Sequence, residues 1–225
     1  MDGDEGELLE MTLTGVAVGE VRDGYEPLTL ETSRGPVECR YYPVAGTSRG
    51  AIWVGGIGGN FDTPARGLYP RLCQALRDEG IASLWVSYRH PAALEESVLD
   101  VLAGLTYLEG EGMDTLALVG HSFGGPVVIQ AAALDDDVRT VVALATQSYG
   151  TAPVEQLGPR CSVLLLHGTA DATVPPSDSE HVYRLAREPK QLVLCEGAGH
   201  GLDETAEEVH QVVHDWIVDQ LSKAA

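Results

Sequence analysis

The sequence predicts a single α/β domain, with a mostly parallel β-sheet covered by helices on both faces. Apolar runs of strand length alternate with longer segments of helical periodicity along most of the 225 residues. The strand-length runs are continuously apolar, which is typical of parallel strands that are buried on both faces. The chain is long enough to bury a substantial core and shows no repeat or long linker, so we expect one domain over residues 1–225.

The predicted strands are short apolar runs bounded by turn residues. In chain order they cover residues 28–32, 37–43, 51–54, 81–88, 116–119, 141–145, 163–166 and 191–195. Ser33-Arg34-Gly35-Pro36 supplies a turn between the first two strands, which therefore form a hairpin. The acidic residues 1–25 are weakly patterned, and we expect this N-terminal segment to be partly disordered.

The predicted helices repeat apolar residues at spacings of three and four. They cover residues 65–78, 92–108, 123–134, 179–186 and 205–221. Gly80 follows the first helix as a C-cap, and Pro91 stands near the first turn of the second. Because most of the later strands are joined by helices, their carboxyl ends meet at one edge of the sheet, where ligands bind in such folds.

The charge, the apolar runs and the cysteines of the chain indicate its partners, its location and the state of its thiols. The chain has 14 basic and 34 acidic residues, and its net charge of −20 disfavours nucleic acid and anionic membranes as partners. No apolar run could span a bilayer, and no basic start precedes an apolar stretch, so we expect a cytoplasmic protein. Four widely spaced cysteines are expected to be free buried thiols, with a disulfide as the alternative: Cys39, Cys73, Cys161 and Cys195.

The segment Gly120-His121-Ser122-Phe123-Gly124 is a GxSxG motif between a predicted strand and a predicted helix. A serine on such a strained turn projects its hydroxyl above the sheet, and side chains at the two flanking glycines would clash with neighbouring backbone. The N-terminus of the following helix can stabilise negative charge. We therefore predict that Ser122 is a nucleophile; the alternative is a serine that only caps the helix.

His200 and Asp171 are the predicted partners of Ser122. A serine hydroxyl needs a base, and His200 lies in a glycine-rich loop after the last predicted strand. That base needs a carboxylate to hold its tautomer, and Asp171 follows the strand over residues 163–166. Asp178 is the nearest competitor but is typical of the first turn of a helix.

The loop Gly55-Gly56-Ile57-Gly58-Gly59 is expected to complete the site. It follows an early strand, and its glycines allow the backbone to approach a substrate closely. Acyl transfer needs NH donors for the oxyanion, and we predict the backbone NH groups of Ile57 and Phe123, with Gly58 as the alternative to Ile57. The loop lacks the GxGxxG spacing of a nucleotide site.

Together with these two glycine motifs, the segments His167-Gly168-Thr169-Ala170-Asp171 and Gly199-His200 resemble those of the α/β-hydrolase superfamily. The likeness runs from about Leu28 onward and looks closest to small uncapped esterases and dienelactone-hydrolase-like proteins. It implies an eight-stranded, mostly parallel sheet with an antiparallel first hairpin, and a triad of Ser122, Asp171 and His200. Dienelactone hydrolases typically carry cysteine as the nucleophile, and the family's oxyanion loop often begins His-Gly rather than Gly-Gly.

The connection between the strands over 141–145 and 163–166 has 17 residues, too few for the helical cap that many relatives insert there. We therefore expect no cap domain and an open, shallow pocket that favours small, short-acyl substrates. Its expected lining residues are Gly58, Phe61, His121, Tyr149, Val174 and Leu202.

The sequence thus predicts a serine esterase that acts on small-molecule esters without a cofactor or metal. His210 and His214 have the i, i+4 spacing of metal ligands, but no third ligand is evident. His167 is expected to make a structural hydrogen bond. A thioesterase, lactonase, peptidase or acyltransferase would use the same triad, and a non-catalytic binding protein of the same fold is the alternative from another class. The oligomeric state is left open.

Overall fold

The computed structural model describes residues 10–223, which form one nine-stranded sheet between two layers of helices. The strands are β1 (Leu13–Val18), β2 (Glu26–Thr32), β3 (Val37–Tyr42), β4 (Arg49–Val54), β5 (Ala82–Val86), β6 (Thr115–His121), β7 (Val138–Leu144), β8 (Ser162–Gly168) and β9 (Lys190–Cys195). The helices are α1 (Leu68–Asp78), α2 (Leu94–Gly110), α3 (Gly124–Leu134), α4 (Pro176–Leu185) and α5 (Ala206–Lys223).

The strand order across the sheet is β1-β2-β3-β5-β4-β6-β7-β8-β9. The first four strands in this order pair antiparallel, and all the remaining neighbours pair parallel. The α/β-hydrolase fold predicted from the sequence is confirmed. Parallel pairing directs the carboxyl ends of β4, β6, β8 and β9 to the same edge of the sheet.

The helices divide between the two faces of the sheet. Buried side chains of α1 and α5 pack on one face, and those of α2, α3 and α4 pack on the other. Every residue of β6 is buried, as expected for a central strand covered on both faces. The two cores hold β6 rigidly, and the chain that leaves its carboxyl end begins from a fixed position.

The strand count predicted from the sequence was wrong, because the sheet has nine strands rather than eight. The additional strand is β1, which pairs antiparallel with β2 at the edge of the sheet. Val16 and Val18 of this strand are 41% and 62% exposed, so its apolar residues do not form a buried run. The prediction that residues 1–25 are partly disordered therefore does not hold for β1, which is an ordered strand. Residues 1–9 lie outside the part of the chain that the structure describes.

The connection from β7 to β8 contains a single 3-10 helix, Ala152–Gln156, and no cap domain, as the sequence predicts. The four cysteines are buried and free, which confirms the prediction of unpaired thiols. Within residues 10–223, none of the helices combines the length and the apolar character needed to cross a membrane.

Candidate active site

Ser122 occupies the sharp turn between β6 and α3. Its φ angle is 54°, in the left-handed region that side chains rarely adopt. The NH of Ser122 donates to the carbonyl of Leu144 on β7, 2.7 Å away, which ties the turn to the neighbouring strand. A Cβ at Gly120 would lie only 2.2 Å from the carbonyl oxygen of Gly124. The turn therefore closes tightly only with glycine at position 120.

Gly124 is required because α3 starts directly against the loop after β4. A Cβ at this position would lie 2.6 Å from the carbonyl oxygen of Gly55 and 3.1 Å from that of Val54. Both contacts are with backbone, which cannot rotate away as a flexible side chain can. The glycine thus sets the separation between the serine turn and the Gly55–Gly59 loop.

We expect Gly124→Ala to lower the free energy of unfolding by about 1–3 kcal/mol or more, because the added methyl overlaps fixed backbone. Urea denaturation would measure this change. The matched control is Gly110→Ala at the end of α2, where a Cβ meets nothing within 4 Å and φ is not positive. The control variant should be as stable as the parent or slightly more stable, and equal stability of both variants would contradict the packing argument.

Three side chains from three loops form a continuous hydrogen-bonded row. The Ser122 hydroxyl donates to Nε2 of His200, with Oγ and Nε2 3.0 Å apart. Nδ1–H of His200 donates to Oδ2 of Asp171 at 2.7 Å. Ser122 follows β6, Asp171 follows β8 and His200 follows β9, so the three strand ends bring together the residues that the sequence analysis selected. A neutral imidazole in this tautomer can accept the serine proton.

Asp171 is held by backbone as well as by His200. Its Oδ1 accepts the NH groups of Thr173 and Val174 at 2.8 and 3.0 Å. Burial acts to raise the pKa of Asp171, but the hydrogen bonds from His200, Val174 and Thr173 outweigh it, and the pKa lies below its ordinary value. The carboxylate is therefore ionised throughout the neutral range, where it can stabilise a positive charge on His200.

His167 is fully buried and makes the structural hydrogen bonds that the sequence analysis expected. Its Nδ1 accepts from the hydroxyl of Ser179 at 2.6 Å. Its Nε2 lies 3.0 Å from the carbonyl of Val174 and 3.2 Å from Oδ2 of Asp171. His167 thus supports the loop that carries the carboxylate.

The loop after β4 runs beside Ser122. A Cβ at Gly56 would lie 3.6 Å from the Cβ of Ser122. Within residues 10–223, the NH groups of Ile57 and Phe123 donate no hydrogen bond to protein. Backbone NH groups that have no protein acceptor and lie near a serine hydroxyl can bind a negatively charged oxygen.

The loop after β5 packs against this glycine loop, a contact that the sequence does not predict. The hydroxyl of Tyr88 donates to the carbonyl of Gly55 at 3.3 Å, and its ring packs edge-on against Phe123 with centroids 5.8 Å apart. A Cβ at Gly59 would lie 2.4 Å from the ring of Pro91, so these loops pack in close contact. In the sequence, the only indication that Tyr88 contributes to the site is its position at the carboxyl end of a predicted strand.

A shallow cleft of about 640 Å³ adjoins the glycine loop. It is lined by Arg40, Gly58, Gly59, Asn60, Phe61 and Asp62. Gly58 and Phe61, two of the residues expected to line the substrate pocket, border this cleft, which Ser122 and His200 do not line. Arg40 was not predicted to line the pocket, although a charged residue inside a predicted strand indicates a special role. Its guanidinium lies 4.0 Å from the centroid of the Phe61 ring.

The other four predicted lining residues differ in their positions. Leu202 is fully buried in the core beneath α5, so the prediction that it lines the pocket was wrong. Tyr149 is 78% exposed on the loop after β7, and Val174 is half-buried in the loop after β8. His121 is 6% exposed and contacts the backbone of His200.

Comparison with known proteins identifies the family of this chain. The dienelactone hydrolase family matches residues 66–220, which include Ser122, Asp171 and His200. The chain belongs to the dienelactone hydrolase family. Membership supports hydrolase activity, whereas the glycine loop that carries Ile57 precedes the matched residues.

This member of the dienelactone hydrolase family is 32% identical over 108 residues to "Uncharacterized protein YfhR" of Salmonella typhi. That alignment covers 40% of the chain and 37% of the relative, so it spans less than half of either protein.

Two solved structures share the fold across most of their length. Est1E from Butyrivibrio proteoclasticus has a TM-score of 0.73 at 17% identity, covering 87% of this chain and 99% of that one. The esterase domain of a Rhodothermus marinus protein has a TM-score of 0.71 at 19% identity, covering 88% and 99%. At such low identity, these likenesses establish the α/β-hydrolase fold and nothing finer.

Proposed function

We propose that this protein is a serine esterase that cleaves short-acyl carboxylic esters of small molecules through an acyl-enzyme intermediate. The observation that carries the proposal is the row of hydrogen bonds from Ser122 through His200 to Asp171, with separations of 3.0 and 2.7 Å. These separations lie within the range needed for proton transfer between a nucleophile and its base. Family membership and the esterase fold are consistent with this chemistry.

In the first half of the proposed reaction, Oγ of Ser122 attacks the ester carbonyl carbon while its proton moves to Nε2 of His200. Asp171 accepts the Nδ1–H of His200 and stabilises the imidazolium that forms. The NH groups of Ile57 and Phe123 donate to the oxyanion of the tetrahedral intermediate. Collapse of this intermediate breaks the bond to the leaving alkoxide, which takes the proton from His200 and departs as the alcohol.

In the second half, water attacks the acyl carbon while His200 accepts its proton. Collapse of the second tetrahedral intermediate breaks the bond to Oγ, and the proton returns from His200 to Ser122. The products are the free acid and the regenerated hydroxyl, so the cycle needs no electron acceptor or co-substrate other than water.

The open site predicts a preference for short acyl groups, which a series of 4-nitrophenyl esters would test. Because no cap covers the cleft, methylenes beyond about four carbons stay in water and gain no buried surface, while ordering them loses conformational freedom. We expect kcat/KM to be highest for acetate to butyrate and to fall for decanoate and longer esters.

An enclosed acyl tunnel would give the opposite trend. Burial of each methylene contributes about 0.8 kcal/mol, which raises kcat/KM by roughly fourfold per carbon. A steady rise toward long chains would therefore reject the open-cleft interpretation, and no turnover of any ester in the series would reject the esterase proposal.

A further inference from the structure

His121 is the last residue of β6 and directly precedes Ser122, yet its side chain is only 6% exposed. Its Nε2 lies 2.9 Å from the backbone carbonyl oxygen of His200. Because a carbonyl only accepts hydrogen bonds, Nε2 of His121 must carry the proton and donate it. The two imidazole rings pack against each other, with centroids 5.0 Å apart and planes inclined by 45°.

This contact is the only hydrogen bond to the backbone of His200 among residues 10–223. The neighbours of His200 are bonded to other residues: the NH of Gly199 donates to Glu204 at 3.0 Å, and the carbonyl of Gly201 accepts the NH of Ala65 at 2.7 Å. Within the described residues, only His121 bonds the main chain of His200 itself. Two consecutive residues of the turn after β6 therefore hold His200. Ser122 contacts the imidazole, and His121 contacts the main chain.

The second nitrogen of His121 has no hydrogen-bond partner within the described residues, although it is buried. A neutral ring with a proton on Nε2 leaves Nδ1 as a bare acceptor. This atom faces the glycine loop, because a Cβ at Gly56 would lie 3.7 Å from it. Nδ1 of His121 is therefore left without a hydrogen bond, and Nε2 makes the single hydrogen bond of the side chain, to the carbonyl of His200.

A charge on His121 would oppose the proposed reaction. An imidazolium whose ring centroid is 5.0 Å from that of His200 would disfavour the second positive charge that His200 acquires during catalysis. Burial lowers the pKa of His121 and favours its neutral form; the hydrogen bond to the carbonyl of His200 and the charges of Asp62 and Asp171 raise the pKa by less.

We propose that His121 is a positioning residue of the reaction, which holds the catalytic imidazole through the backbone carbonyl of His200 by a donor on Nε2. This proposal rests on the proposed esterase function, and it adds to that function a residue that does not touch the substrate. Its role depends on one hydrogen-bond donor, so side chains of similar length with and without that donor should behave differently.

The test compares His121→Gln with His121→Met, because glutamine can donate from Nε2 and methionine has similar length but no donor. We expect kcat of the methionine variant to fall about 10–100-fold with KM within about threefold of the parent, since misplacing a catalytic group by about 1 Å has effects of this size. The glutamine variant should recover kcat to within about fivefold of the parent. His181→Met, on the exposed face of α4, is the control and should match the parent.

Equal kcat values for the glutamine and methionine variants would overturn the proposal, whether both are impaired or both match the parent. If the methionine variant does not fold, His121→Leu provides a second side chain without a hydrogen-bond donor. A second measurement is independent of activity, because ¹⁵N NMR identifies the tautomer of His121 in the unmodified protein. A proton on Nδ1 instead of Nε2 would overturn the proposal, and failure of ester hydrolysis in the parent would overturn only the proposed function.

Discussion

Ser122→Ala should lower kcat for a short-chain ester by about four to six orders of magnitude, the range found when the nucleophile of a triad is removed. The Ser122 hydroxyl makes its hydrogen bond to His200, so its loss removes the attacking atom without removing a contact between elements of the core. The thermal midpoint should therefore stay within a few degrees of that of the parent. Steady-state kinetics at saturating ester, together with thermal denaturation, would measure both quantities.

Ser148→Ala is the matched control for this substitution. Ser148 lies in the loop after β7, at the same edge of the sheet, and it is half-buried. A fluorophosphonate probe should label the parent and the Ser148 variant once per chain and should not label the Ser122 variant. Retention of parental kcat or of stoichiometric labelling by Ser122→Ala would rule out Ser122 as the nucleophile.

The sequence predicted the sheet and the proximity of Ser122, Asp171 and His200 because both depend on short-range patterns. A central strand such as β6 is an uninterrupted apolar run, and the glycines on either side of Ser122 are required by contacts within a few residues. Asp171 and His200 follow strands whose carboxyl ends must converge once the strands pair in parallel. The convergence of the three loops therefore follows from topology, without knowledge of individual contacts.

The missed features depend on contacts between residues that are distant in the chain. The strand β1 is exposed along most of its length and is defined by pairing with β2, so hydrophobicity did not reveal it. Leu202 follows His200 by two residues, but a left-handed conformation with φ of 58° directs it into the core under α5. The role of Tyr88 required the loop after β4 to be positioned within reach of its hydroxyl.

Replacing Asp171 with Asn should have the second largest effect and should lower kcat by about four orders of magnitude while changing KM little. The amide oxygen of Asn can still accept the NH groups of Thr173 and Val174, so the loop should keep its conformation. The amide nitrogen would then face Nδ1 of His200, which must become an acceptor. His200 would carry its proton on Nε2 and could no longer accept the proton of Ser122.

Asp178→Asn isolates this effect from the loss of a negative charge near the site. Asp178 lies in the first turn of α4, where Oδ2 accepts the backbone NH of Ser148 at 3.0 Å, a bond that an amide oxygen can keep. The kcat of the Asp178→Asn variant should stay within about threefold of that of the parent. ¹⁵N NMR should detect the change of tautomer at His200 in the Asp171 variant alone. Parental kcat in the Asp171 variant, or an unchanged His200 tautomer, would show that the carboxylate does not orient the base, because each substitution removes one negative charge and only Asp171 is hydrogen-bonded to His200.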